Sequence, residues 1–109
     1  MCTFWRSAEN FETSGITWAV SQASPLRRAV INGDIKLSEA GYSSGGYVSD
    51  VIVNGNIDIG SQQQFFFRNN KMISNNGGGG MNKVWVGCEG APPTDCHTGS
   101  GANLRINVP

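Results

Sequence analysis

The sequence lacks any apolar run near the roughly 18–20 residues that a membrane span requires. It also lacks a surplus of either charge: eight Lys plus Arg stand against eight Asp plus Glu, a formal net charge of zero. Nucleic-acid binders gather a basic surplus on one face, so neither nucleic acid nor membrane is an expected partner. The GxxxxGK[ST] spacing of a phosphate cradle is absent from both glycine-rich stretches. A single histidine, His97, gives no Ser-His-Asp arrangement to pursue. Cys88, Cys96 and His97 offer three ligand atoms, but not the two spaced ligand pairs of a zinc motif, so no metal or other cofactor is expected. The N-terminal MCTFWRSAEN has no charged region followed by an apolar one, so no signal peptide is visible. Either a start Met replaces a removed signal, or the chain is a piece of a longer protein.

Turn formers and polar amides are what the chain does contain. Its 109 residues include 15 Gly, with tracts of Asn, Ser and Gln, and only 15% are charged. That composition suits short strands and turns better than amphipathic helices, in one domain or part of one. Ile52-Val53-Asn54-Gly55-Asn56-Ile57 repeats Val30-Ile31-Asn32-Gly33-Asp34-Ile35 at an offset of 22 residues. A self-match at such a period marks a solenoid whose coils stack as units. The offset lays Arg28 over Asp50 and Lys36 over Asp58, opposite charges that in stacked parallel strands would stand about 4.7–4.9 Å apart. It lays Asn32 over Asn54 as an amide column, with Asn10 one step back and Asn76 one step on. Each Asn-Gly reads as a turn at positive φ. The competing reading is two local hairpins of an antiparallel sheet, which would not require the 22-residue match.

Elsewhere, Ile16, Trp18 and Val20 alternate with a strand period, although a short helix over Thr17–Gln22 also fits. Ser61 to Gln64 is expected to ladder on a coil surface, and at least one of Phe65, Phe66 and Phe67 to fill the interior. Residues 75–80 read as a glycine-rich loop, Val84 to Val86 as a strand and Leu104 to Val108 as a final strand. Cys88 and Cys96 bracket GAPPTD, residues 90–95. They read as a small disulfide of an oxidising, extracellular compartment, or as two ordinary thiols, with Cys2 left over.

FWRSAENF, WAVSQASPLRR, GYSSGGYVSDV, GSQQQFFFRN and W-x-G-C-x-G-A-P together resemble a group of secreted microbial proteins of the pectate-lyase-like superfamily. Members are right-handed parallel β-helices, distantly similar to β-glucan-cleaving glycoside hydrolases and pectin-active lyases, and several times longer than this chain. The resemblance runs from about Phe4 to Pro93. It implies an all-β, right-handed parallel β-helix, of which residues 1–109 form one partial domain; at about 22 residues per coil, the period read above, that is roughly four coils. It further implies a secreted protein acting on polysaccharide as hydrolase or lyase. The resemblance transfers no catalytic residue.

A glycoside hydrolase typically needs two carboxyl groups, about 5–5.5 Å apart for retention or 6.5–9.5 Å for inversion. The 22-residue step would put Glu12 and Asp34 in one surface column, where repulsion would split their pKa values into acid and base. The plainer reading makes both of them solvated surface groups. Tyr42 and Tyr47, flanking Ser43 to Gly46, form the exposed aromatic pair best suited to bind a sugar. The alternative class is a non-catalytic module whose open coil ends expose backbone edges and drive end-to-end self-association.

Overall fold

In a computed structural model, residues 7–20, 24–39, 45–76, 82–95 and 105–109 are described. Among them there is no helix, and every pairing between named strands is parallel. The ten strands are β1 (Ala8–Thr13), β2 (Ile16–Thr17), β3 (Pro25–Ile31), β4 (Ile35–Lys36), β5 (Gly46–Ser49), β6 (Ile52–Asp58), β7 (Phe65–Arg68), β8 (Lys71–Asn76), β9 (Lys83–Val86) and β10 (Arg105–Val108). They stack as a β-solenoid of about four turns. The first face of each coil is built by the starts of β1 and β3, then β5, β7, β9 and β10. The second is built by the ends of β1 and β3 and the starts of β6 and β8. The third is built by β2, β4 and the ends of β6 and β8.

Alternation along each strand fills the interior. Leu26, Val48, Phe67 and Trp85 stand in register and are buried, and the last two rings stack at 5.2 Å and 7°. Phe65 also points inward, whereas Phe66 does not, as a period of two requires. Ala29, Val51 and Asn70 line the second face, and Ile31, Val53 and Met72 follow them.

Between the first and second faces the chain turns through one left-handed residue per coil. Asn10, Arg28, Asp50, Asn69 and Gly87 have φ of 61°, 50°, 55°, 51° and 60°, and neighbouring registers place all five in one column. Asn, Asp and Gly take this conformation at low cost; Arg28 forgoes about 1–2 kcal/mol. Its guanidinium is tied down to Glu9 and Asn10 of the coil below.

The 22-residue step is correct between β3 and β5 and between β4 and β6, but it is not the period of the whole solenoid. The first step is 18 residues along β1 and 19 at β2. Asn10 therefore sits at the left-handed corner, and Asn76 pairs with Asp58 rather than extending the asparagine column. The physical reason is corner length. Asn32-Gly33-Asp34 and Asn54-Gly55-Asn56 make three-residue corners, while Ser14-Gly15 and Ile73-Ser74 make two-residue ones. The repeated hexapeptide is two coils sharing the longer corner.

Neither Gly33 nor Gly55 has positive φ, contrary to the turn reading. They are glycines because the corners stack closely: a Cβ on Gly33 would overlap the Ser14 carbonyl oxygen, and one on Gly55 would lie 2.6 Å from the Gly33 carbonyl carbon. The two charge overlays also need correction. Lys36 and Asp58 are register partners, yet the Asp58 carboxylate accepts from the Gly60 N–H at 3.1 Å and forms no ion pair with Lys36. Arg28 turns to Glu9 instead of Asp50.

Two polar side chains go inside against expectation. Gln62 is 1% exposed rather than part of a surface ladder. Its amide donates to the carbonyls of Val20 (2.9 Å) and Leu37 (2.6 Å) and accepts from the Gly45 N–H (2.9 Å). Asn70, 2% exposed, accepts from the Val51 N–H and donates to the Val48 carbonyl, both at 2.9 Å. Between them the two amides satisfy buried backbone groups at the corners, among them the Gly45 and Val51 N–H groups and the Val20 and Leu37 carbonyls. Thr17 is in a strand, not a helix, and Asn75 and Asn76 end β8 rather than opening a loop; the tetraglycine lies outside the described residues.

Candidate glycan-facing surface

The outward positions of the first face form two parallel rows. Pro25, Tyr47, Phe66, Val84 and Ile106 are in register, one per coil, and all are half-buried. Two residues further along the strands run Glu9, Arg27, Ser49, Arg68, Val86 and Val108. An apolar and aromatic strip thus lies beside a row whose accessible donors are the guanidinium groups of Arg27 and Arg68, Ser49 being buried. Tyr47 and Phe66 stack at 5.4 Å and 13°, so each ring covers part of one face of the other.

Of the sequence candidates, Tyr47 is on this surface, and Tyr42 lies outside the described residues. Glu12 and Asp34 are not in one column. The register partner of Glu12 is Val30, because the step there is 18 residues rather than 22. Both acids are exposed and both are engaged by the scaffold. Glu12 Oε1 accepts from Asn32 Nδ2 at 2.6 Å, and Asp34 Oδ1 from the Asn56 N–H at 2.8 Å. They belong to the corner between the second and third faces, not to the aromatic strip. Cys88 is a half-buried free thiol whose Sγ lies 3.6 Å from the Val86 carbonyl oxygen. Its expected partner Cys96 and the lone His97 lie outside the described residues. Among the described residues no three His, Cys, Asp or Glu side chains group closely enough to hold a metal ion. No helix there is long and apolar enough to cross a membrane.

Most other acids are likewise occupied. Glu9 pairs with Arg27 at 3.1 Å and with Arg28, Glu89 with Lys71 at 3.5 Å, and Asp95 with Arg105 at 2.9 Å. One ionisable group goes unnoticed in the sequence. Lys83, 1% exposed, points inward between Phe65 and Arg105. Burial, and then the Arg105 charge beside it, hold its ammonium below the ordinary lysine value of 10.5. A lysine opening a Val-Trp-Val strand gives no sequence signal of burial, because its inward position is fixed only by register.

The chain is 41% identical, over 95 residues, to an exo-beta-1,3-glucanase of Streptomyces sp. strain SirexAA-E / ActE. The match takes in 82% of this chain and 16% of the relative, so the chain spans a small part of that protein's length. No family model matches the chain, and no solved structure matches it. Identity and solenoid together support a β-helix carbohydrate-active family. They do not extend to the pectate-lyase-like assignment, for which the comparisons hold no counterpart.

Proposed function

We propose that this chain is a coil segment of an extracellular, carbohydrate-active β-helix protein that acts on β-1,3-glucan, and that the first face bears the glucan. The carrying observation is the 41% identity, along most of the chain, to an exo-beta-1,3-glucanase. The surface is supported by the strip Tyr47, Phe66, Val84 and Ile106 beside the guanidinium groups of Arg27 and Arg68. Apolar surface flanked by a few hydrogen-bonding groups is the usual composition of a ligand site.

In this reading the segment supplies scaffold and substrate contact. Glycosidic cleavage needs a carboxylic acid and a second carboxylate aimed at one bond. Glu12 and Asp34 are committed to Asn32 and to the Asn56 backbone, and stand away from the strip. Their part is to hold corners together. Retention of the chain on insoluble β-1,3-glucan, cellulose and pectin tests the proposal. Preferential retention on β-1,3-glucan, weakened several-fold by Tyr47→Ala and unchanged by Glu12→Gln, is expected. Equal retention on all three, or none, contradicts it.

A further inference from the structure

The outer edge of β10, at one end of the described sheet, is covered. β10 pairs with β9 along one edge. Along the other, Asp95 lies antiparallel to Arg105. The Asp95 N–H donates to the Arg105 carbonyl at 2.8 Å, and the Arg105 N–H to the Asp95 carbonyl at 2.9 Å. Thr94 completes the edge: its Oγ1 accepts from the Asn107 N–H at 3.0 Å and donates to the Asn107 carbonyl at 3.2 Å. The two N–H and two C=O groups that Arg105 and Asn107 turn away from β9 are those that a further strand would use. Two residues satisfy all four. The Arg105 guanidinium then grips the Asp95 carboxylate at 2.9 Å.

This arrangement cannot propagate. At Asn107 a side-chain hydroxyl stands where a peptide group would be needed to extend a ladder. At Arg105 the partner is antiparallel, against a solenoid whose strands otherwise pair in parallel. An uncovered edge would be a template for another chain. At Arg105 and Asn107 this edge is covered.

We propose that Thr94–Asp95 is an edge strap that stops sheet growth at β10, and that removing it exposes a docking edge for β1 of a second copy. Column continuity selects β1. Ala8 heads the inward column of Leu26, Val48, Phe67 and Trp85, and that column ends at Asn107. A second copy seated with Ala8 over Asn107 and Glu9 over Val108 would carry every row onward in parallel. Such a contact joins one end to the opposite end, so it does not close on itself and builds open chains.

The test compares the chain with the double variant Thr94→Val, Asp95→Pro. The first change deletes the hydroxyl, and the second deletes the N–H donor and the carboxylate. Sedimentation velocity over a hundredfold concentration range should show a monomeric parent and a variant that grows beyond dimer. A parent that associates to the same degree, a folded variant that stays monomeric, or one that stops at a dimer overturns the proposal. If the double variant does not fold, Thr94→Val alone decides. Its Asn107 amide should exchange hydrogen at least about tenfold faster than in the parent; an unchanged rate overturns the strap.

Discussion

Asn54 Nδ2 donates to Asn32 Oδ1 at 3.0 Å, joining residues of adjacent coils that lie 22 apart in the chain. Below them Asn32 Nδ2 donates to Glu12 Oε1. The column is therefore carboxylate, amide, amide, and it crosses three coils on an exposed corner. Asn54→Ala should cost about 0.5–1.5 kcal/mol, the net worth of an ordinary hydrogen bond, measured by urea unfolding. Gly55→Ala, one residue on, should cost more, because its Cβ would meet the rigid backbone of Gly33. A Gly55→Ala chain as stable as the parent would mean that the corners do not stack this closely.

Gln62 and Asn70 should outweigh every surface amide. Replacing Asn70 by Leu leaves the Val51 N–H buried and unpaired and takes from the Val48 carbonyl one of its two bonds, the other being the β5–β7 ladder bond. At about 1–3 kcal/mol for the orphaned N–H, with about 0.5–1.5 kcal/mol for the second bond lost, a cost of about 2–4 kcal/mol is expected. Gln62→Leu strands three backbone groups and should be at least as damaging. A loss under about 1 kcal/mol in either variant would show that water reaches those groups.

The phenylalanine run separates scaffold from surface. Phe67→Ala removes a fully buried ring stacked on Trp85 and should cost about 3–5 kcal/mol. Phe66→Ala, on the outer strip, should cost much less stability while weakening glucan retention together with Tyr47→Ala. Equal destabilisation by both would place Phe66 in the core.

Lys83 gives the pH dependence. Its folded-state pKa lies below 10.5, so the unfolded chain holds the proton more tightly. Stability from this group therefore rises with pH between the lowered value and 10.5, and is least below that window. Lys83→Met removes the effect. The stability of the parent relative to Lys83→Met should climb as pH is raised towards 10.5; a flat difference would show that the ammonium is well solvated.

The alternating strands, the inward Phe65 and Phe67, and the Asn32–Asn54 contact were legible because each is a local pattern or an identical repeat. The register of the first coil was not. Ser14-Gly15 is one residue shorter than Asn32-Gly33-Asp34, and a change of corner length leaves no compositional trace. Glu12 and Asp34 were paired by a period that fails at that corner. Gln62, Asn70 and Lys83 were missed because polar residues inside a solenoid are chosen by the backbone groups or neighbours they meet. Those neighbours are 17 to 42 residues away for Gln62. The Arg28 and Asp50 overlay was right in register and wrong in partner, since a long guanidinium can reach Glu9 on the coil below.

Backbone amide shifts during titration with a soluble β-1,3-gluco-oligosaccharide test the central claim most directly. Perturbations should cluster on the first face, at Tyr47, Phe66, Arg68 and Val84, and vanish in Tyr47→Ala. Shifts confined to the Glu12, Asn32 and Asp34 corner, or none at millimolar ligand, would contradict a glucan-bearing first face.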